Sequence, residues 1–379
     1  MPILHPIFII ILILLIVGSI IEIQSDAKKK KLGFYIAASI ILVIATGFRG
    51  FVGADYGVYR NMYSGFSIYT TYQDIIDKAL FRPTKLDIEW IFVLINRIFF
   101  ESGFPFYALT FFIVSVSLLV KSLFFVKFSP LPTLSLLMLY MPLFLIAESG
   151  QMRQAIGSSF AIFAMKYIVE RRFFMFLLFI YIAVGFHKTN IIFLPAYWIV
   201  RIPLDKMKIF IAILVSILLS PLELYNYTGS FLENLMPQDI YAGYDGYIND
   251  SQFGAEMGFQ KTDVLYFFII YLLIRYNDEA CEKIPYYEYF RNLSVFGFCL
   301  FFLVKGNRIF AIRLPGVYIF FAITMVMPCI AYVVKEKLRR YSIFVMVLIY
   351  SLYITYSFAI NNGDRANFTL GKYSNVLFK

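Results

Sequence analysis

The residues of this sequence best suited to chemistry are Arg49, Asp55, Tyr56, Glu148, Arg153, Gln154, His187, Lys188, Arg308 and Arg313. They sit at the edges of apolar runs, with Lys305 beside the last pair. Ionisable groups held at membrane depth are costly, and those retained usually face a cavity or a partner. Arginine presents a planar fork that grips phosphate through paired hydrogen bonds. Several arginines at one interface therefore predict an anionic headgroup, a lipid phosphate or diphosphate. His187 offers acid, base or donor chemistry, with Asp55 and Glu148 as rivals for the base. No Asp-x-Asp motif and no His/Asp cluster points to a bound divalent ion, and no cofactor is expected.

Each residue also has a structural alternative. Arg49 at a helix end is equally well read as snorkelling to headgroups. Asp55, in G-A-D-Y-G, is equally well read as a turn residue. Arg153 falls at a helix start, where the dipole disfavours a cation. Either Glu148, five residues earlier, or a bound anion must compensate it. A lone histidine such as His187 is more often structural. Arg308 and Arg313 are five apart and occupy different faces of a helix, so one binds ligand and the other packs.

Two apolar helices over 146–189 form the hairpin that positions this set, with Glu170, Arg171 and Arg172 at its turn. The whole 379-residue chain is 60% hydrophobic and only 15% charged. That charge is well below the roughly 25% of a soluble domain. Long apolar runs with mean hydropathy +0.75 describe an all-α polytopic membrane protein. A β-barrel would show short alternating segments instead. The net charge of +10 reflects lysine and arginine gathered in cytoplasmic loops, with no nucleic acid required. Cys281, Cys299 and Cys329 lack metal spacing.

The four lysines at 28–31 orient the chain and are assigned to the cytoplasm. Apolar runs at 6–22, 33–48, 104–126, 131–147, 152–170, 173–186, 189–200, 209–222, 263–275, 292–304, 309–334 and 342–360 then give about twelve spans. The first run is read as a retained helix. Basic clusters at 171–172, 201–208 and 335–340 land on the same side as 28–31. The chain is expected to form a single integral membrane domain over 1–379, with two larger external loops, 49–88 and 225–262. A short amphipathic piece at 88–100 lies in the interface or re-enters. All ten candidate residues then share the external face, where Arg49, Arg153 and His187 are expected to line one cavity.

Five segments carry a family resemblance: F-R-G-F-V-G-A-D-Y-G-V-Y (48–59), M-R-Q-A-I-G-S-S-F-A (152–161), F-H-K-T-N-I-I-F-L-P (186–195), R-I-F-A-I-R-L-P-G-V-Y (308–318) and a terminal K-Y (372–373). In this order they resemble the EpsG-type family of Wzy polysaccharide polymerases. The resemblance implies a GT-C-like fold in the bacterial cytoplasmic membrane, with the active site on the periplasmic face. It implies polymerisation of oligosaccharide repeat units carried on undecaprenyl diphosphate, and a chain-length regulator as a possible partner. It also implies glycosyl transfer with a lipid diphosphate as leaving group and no metal. Arg153 and Arg49 would grip the departing diphosphate, and Arg308 or Arg313 the second one. His187 would act on the acceptor hydroxyl, with Asp55 or Glu148 as rivals, while Tyr56, Glu148, Gln154 and Lys188 line the substrate. The rival reading is a flippase for the same lipid-linked units. It would want polar groups near the midplane on broken helices.

Overall fold

The computed structural model describes residues 3–24, 32–53, 55–226, 257–361 and 367–377. Among them the regular structure is helical, with isolated bridges pairing Leu4 with Thr369 and Arg49 with Asn375. The lysines at 28–31 and most of loop 225–262 lie outside the described residues.

Among the described residues, three helical stretches are long and apolar enough to cross a membrane: Pro6–Gln24, Phe106–Phe128 and Arg308–Val333. Gly33–Gly47 and Phe173–Phe186 are shorter apolar helices. The chain divides into two compact units, one of Met1–Asn190 with Glu336–Lys379 and one of Ile191–Lys335.

The first unit holds α1 (Pro6–Gln24), α2 (Gly33–Gly47), α3 (Tyr56–Tyr69), α4 (Tyr72–Ala79), α5 (Trp90–Glu101) and α6 (Phe106–Phe128). α7 (Pro132–Met138) passes through a π-helical turn, Leu139–Phe144, into α8 (Leu145–Gly150). The hairpin follows as α9 (Met152–Val169) and α10 (Phe173–Phe186), and the long helix Lys337–Asn361 completes the unit. α9 and α10 pack closely because Gly157 has no side chain. A Cβ there would meet the Ala183 carbonyl at 2.8 Å and the Asn190 amide. Small residues permit this approach in membranes. Phe160 stacks on Phe186, ring centroids 5.6 Å apart. The turn between the helices places Arg171 in the left-handed region, φ 56°. The N–H groups of Arg171 and Arg172 donate to the carbonyls of Ile168 and Tyr167, a Schellman C-cap.

Loop 49–88 contains α3 and α4 and leads into α5. Tyr56, Tyr59, Tyr63, Phe66 and Ile75 form an aromatic core with Phe92, Phe106, Met152, Ile156 and Phe186. This cap packs onto one end of α6, α9 and α10.

The second unit contains a helical core led by Lys206–Leu219, Lys261–Arg275 and Tyr287–Leu303. Residues 189–200 do not form a continuous span. They make a 3₁₀ segment, Lys188–Phe193, then a single α turn, Ala196–Ile199. Pro195 interrupts the run and cannot donate to a helix ladder. Even fully helical, twelve residues would rise only about 18 Å against a ~30 Å hydrocarbon core. Asn292 instead donates to the carbonyls of Ile199, Val200 and Ile202.

Candidate active site

The chain breaks at Gln151, φ −116° and ψ 55°, between α8 and α9. Arg153 therefore stands in the first turn of α9, where its charge opposes the helix dipole. Its partner is Glu89, the residue before α5. Nη1 donates to Glu89 Oε2 at 2.7 Å, and Nε lies 3.5 Å from the Tyr59 hydroxyl. The guanidinium lies over the rings of Tyr59 and Phe92, 5.7 and 5.9 Å from their centroids. Of the two compensations open to Arg153 in the sequence, the pairing with Glu148 does not form. Glu148 is buried and pairs with Lys121 of α6.

Glu89 gathers more than Arg153. Its Oε1 accepts the Lys188 N–H at 3.0 Å, just past the end of α10. Burial pushes the Glu89 carboxyl up, but His187, Arg153 and the Lys188 N–H outweigh it and hold the group below the usual carboxylate range. Burial raises the Tyr59 hydroxyl above its ordinary value, Arg153 pulls it back, and Asp55 and Glu89 add smaller upward pushes. One cluster therefore joins α3, the start of α5, the start of α9 and the end of α10.

His187 caps α10 and is buried. The Thr189 N–H donates to its Nδ1 at 3.3 Å, and the Thr189 hydroxyl is 2.8 Å from the same atom. A backbone N–H can only donate, so when the ring is neutral Nδ1 is the acceptor and the hydrogen sits on Nε2. The arrangement fits a donor role better than the expected base role.

Arg153 is 23% exposed at its side chain. Its Nη2 makes no hydrogen bond to any described residue, leaving that edge as a donor pair. Gln154 is half-buried beside it, and Lys188 is half-buried across the cluster. Asp55 is half-buried at the start of α3.

Arg49 departs from its expected role. It is fully buried, and its three nitrogens donate to backbone carbonyls: Nε to Val52 at 3.1 Å, Nη1 to Thr46 at 2.6 Å and Nη2 to Ser149 at 3.0 Å. Burial pushes its guanidinium down to about 10. Tyr56, expected to line the substrate, is buried with its ring 5.6 Å from Arg49 and packed on Phe106. Arg49 thus ties the end of α2 to the α8–α9 break and does not line a cavity with Arg153. Gly53, φ +104°, lies so close to the Ser149 carbonyl that a Cβ would collide with it. The terminal K-Y segment holds the same corner. Tyr373 donates to the Ala45 carbonyl at 2.7 Å, and the Val376 N–H to the Phe48 carbonyl at 2.8 Å.

Glu148 is likewise enclosed. Ser117 donates to it at 3.0 Å, and Ser159 lies 2.7 Å from Ser117. The middle of α6 is therefore not purely apolar, as Lys121 is buried there. In the second unit, Arg308 opens the short helix Arg308–Arg313 on an Asn307 cap and is exposed. Arg313 ends that helix, half-buried.

Glu89 and Lys121 are the residues that sequence reasoning missed. Glu89 carried one signal: a carboxylate directly before an apolar helix, with no basic residue in that helix's first turn.

A helical membrane protein with ionisable groups converging where one helix hairpin opens is the class that fold and site define. The chain belongs to the EpsG family, whose model matches residues 32–375. No curated protein and no solved structure matches it.

Proposed function

We propose that this protein is a bacterial surface-polysaccharide polymerase of the O-antigen type. It transfers a growing glycan from undecaprenyl diphosphate to the non-reducing-end sugar of a lipid-linked repeat unit. The reaction takes place on the periplasmic face of the inner membrane. Family membership supports the polymerase class. The observation that carries the reading is Arg153: one guanidinium nitrogen is fixed on Glu89, while another faces no described partner.

In the proposed step, an acceptor hydroxyl oxygen bonds to the anomeric carbon of the donor sugar. The bond from that carbon to the diphosphate oxygen breaks, and the electron pair leaves with the lipid diphosphate. Arg153 stabilises the charge that develops there, a preorganised electrostatic role. The His187 Nε2–H and Lys188 are further donors to the same anion. Glu89 is held charged by Arg153, so Asp55 is the better base for the acceptor proton. Arg308 or Arg313 is the candidate grip for the second lipid diphosphate. Glu148 and Arg49 position the helix break and do not touch substrate.

Deleting the gene and displaying the lipopolysaccharide on a gel tests this function. Core bearing a single repeat unit, with no ladder, is the expected pattern. An unchanged ladder refutes it.

A further inference from the structure

We propose that the turn after α4, led by Leu80 and Phe81, is sunk into the lipid leaflet beside α10, so that the cap over the Glu89–Arg153 cluster has its rim within the bilayer. The inference does not depend on the polymerase reading.

Four observations carry it. First, the carbonyl of Ala79, at the C-terminal end of α4, accepts the Tyr181 hydroxyl at 2.7 Å. Tyr181 lies five residues before the end of α10, about 7.5 Å along a helix axis. An orphan carbonyl of a helix in water would take a solvent partner. Here a side chain from within an apolar helix supplies the donor. Second, Phe174, Leu178 and Tyr181 are spaced four and three apart and share one face of α10. Phe174 and Leu178 are exposed, so this face points away from the protein. The end of α4 rests on that face.

Third, α4 ends in a Schellman cap. The Arg82 N–H donates to Asp77 and the Phe81 N–H to Lys78. The left-handed position of this motif belongs by preference to glycine, yet Phe81 occupies it at φ 56°. Phe81 so placed is 61% exposed, Leu80 is 53% exposed, and Ile76 is also exposed. An aromatic residue in a strained position, with only its edge contact to Tyr181 and the rest of its surface in water, gains little from either. Buried in lipid, it regains hydrophobic contact. Fourth, Trp90 and Phe81 flank Tyr181 with ring centroids 5.4 and 6.3 Å away. Tryptophan and tyrosine concentrate at the membrane–water boundary, so this trio marks the depth.

Nitroxide labels at Leu80→Cys and Phe81→Cys test the placement. The full chain, with Cys281, Cys299 and Cys329 replaced by alanine, is reconstituted in vesicles of phosphatidylethanolamine and phosphatidylglycerol. Relaxation by oxygen and by a water-soluble nickel chelate is compared with Leu178→Cys as the lipid reference and Lys85→Cys as the water reference. Two label positions guard against one variant failing to fold. Oxygen-to-chelate ratios at 80 and 81 near that of 178 are expected. Ratios near that of 85 overturn the proposal, whatever the protein's activity.

Discussion

Replacing Glu89 by Gln removes one charge and keeps the side chain's shape. It weakens the two contacts that gather the cluster, Arg153 Nη1 at 2.7 Å and the Lys188 N–H at 3.0 Å. Breaking a buried ion pair costs about 3–5 kcal/mol, because the remaining charge stays uncompensated. Arg153 is 23% exposed, so water reaches it and the cost falls to roughly 2–3 kcal/mol. If that loss appears in the transition state, polymerisation slows by about 30- to 150-fold. Arg153→Lys keeps the charge but loses the fork and should be impaired to a similar degree. The double variant Glu89→Gln, Arg153→Gln has no unpaired charge, so a purely structural pair would recover activity. Under this account it stays inactive, because the anion grip is gone. Chain-length ladders read beside immunoblots for protein amount decide the matter. A double variant with a normal ladder would refute a chemical role for Arg153.

The remaining predictions concern stability and pH. Arg49→Met leaves three buried carbonyls without donors and should cost about 2–4 kcal/mol, read as a lower Tm of the purified protein. Lys121→Met strands the Glu148 charge and should lose about 3–5 kcal/mol, whereas Lys121→Met with Glu148→Leu recovers most of it. Tyr373→Phe drops the hydroxyl bond to Ala45 and should cost about 1 kcal/mol in the same melt. Because Glu89 is held below the usual carboxylate range, its contribution to stability is fully present above ordinary carboxylate values near ~4.3. It is lost as pH falls through the depressed value in the fold. Melting curves across acid pH should show this slope in the wild type and lose it in Glu89→Gln.

The helices were legible in the sequence where long apolar runs were bounded by charge, as in α6 and the α9–α10 hairpin. The run 189–200 misled because hydropathy does not register that Pro195 divides it. The first turn of α9 visibly lacked compensation for Arg153, so the need for a carboxylate or a bound anion could be read from the chain. Which one could not, because Glu148 was five residues away and Glu89 was 64 away, behind a cap whose packing depends on tyrosine side chains. Arg49 and the terminal K-Y were marked as a shared pattern. Their role in fixing backbone carbonyls needs the three-dimensional corner that joins residues 45–53, 149 and 373–376. Lys121 was hidden because a single lysine barely lowers the hydropathy of a long apolar helix.

The central claim is tested most directly with the purified protein in liposomes supplied with an undecaprenyl-diphosphate-linked repeat unit. The account predicts glycans longer than one unit together with released undecaprenyl diphosphate, and neither product from Arg153→Ala. Passage of the lipid-linked unit across the bilayer with no chain growth would contradict it and identify a flippase instead.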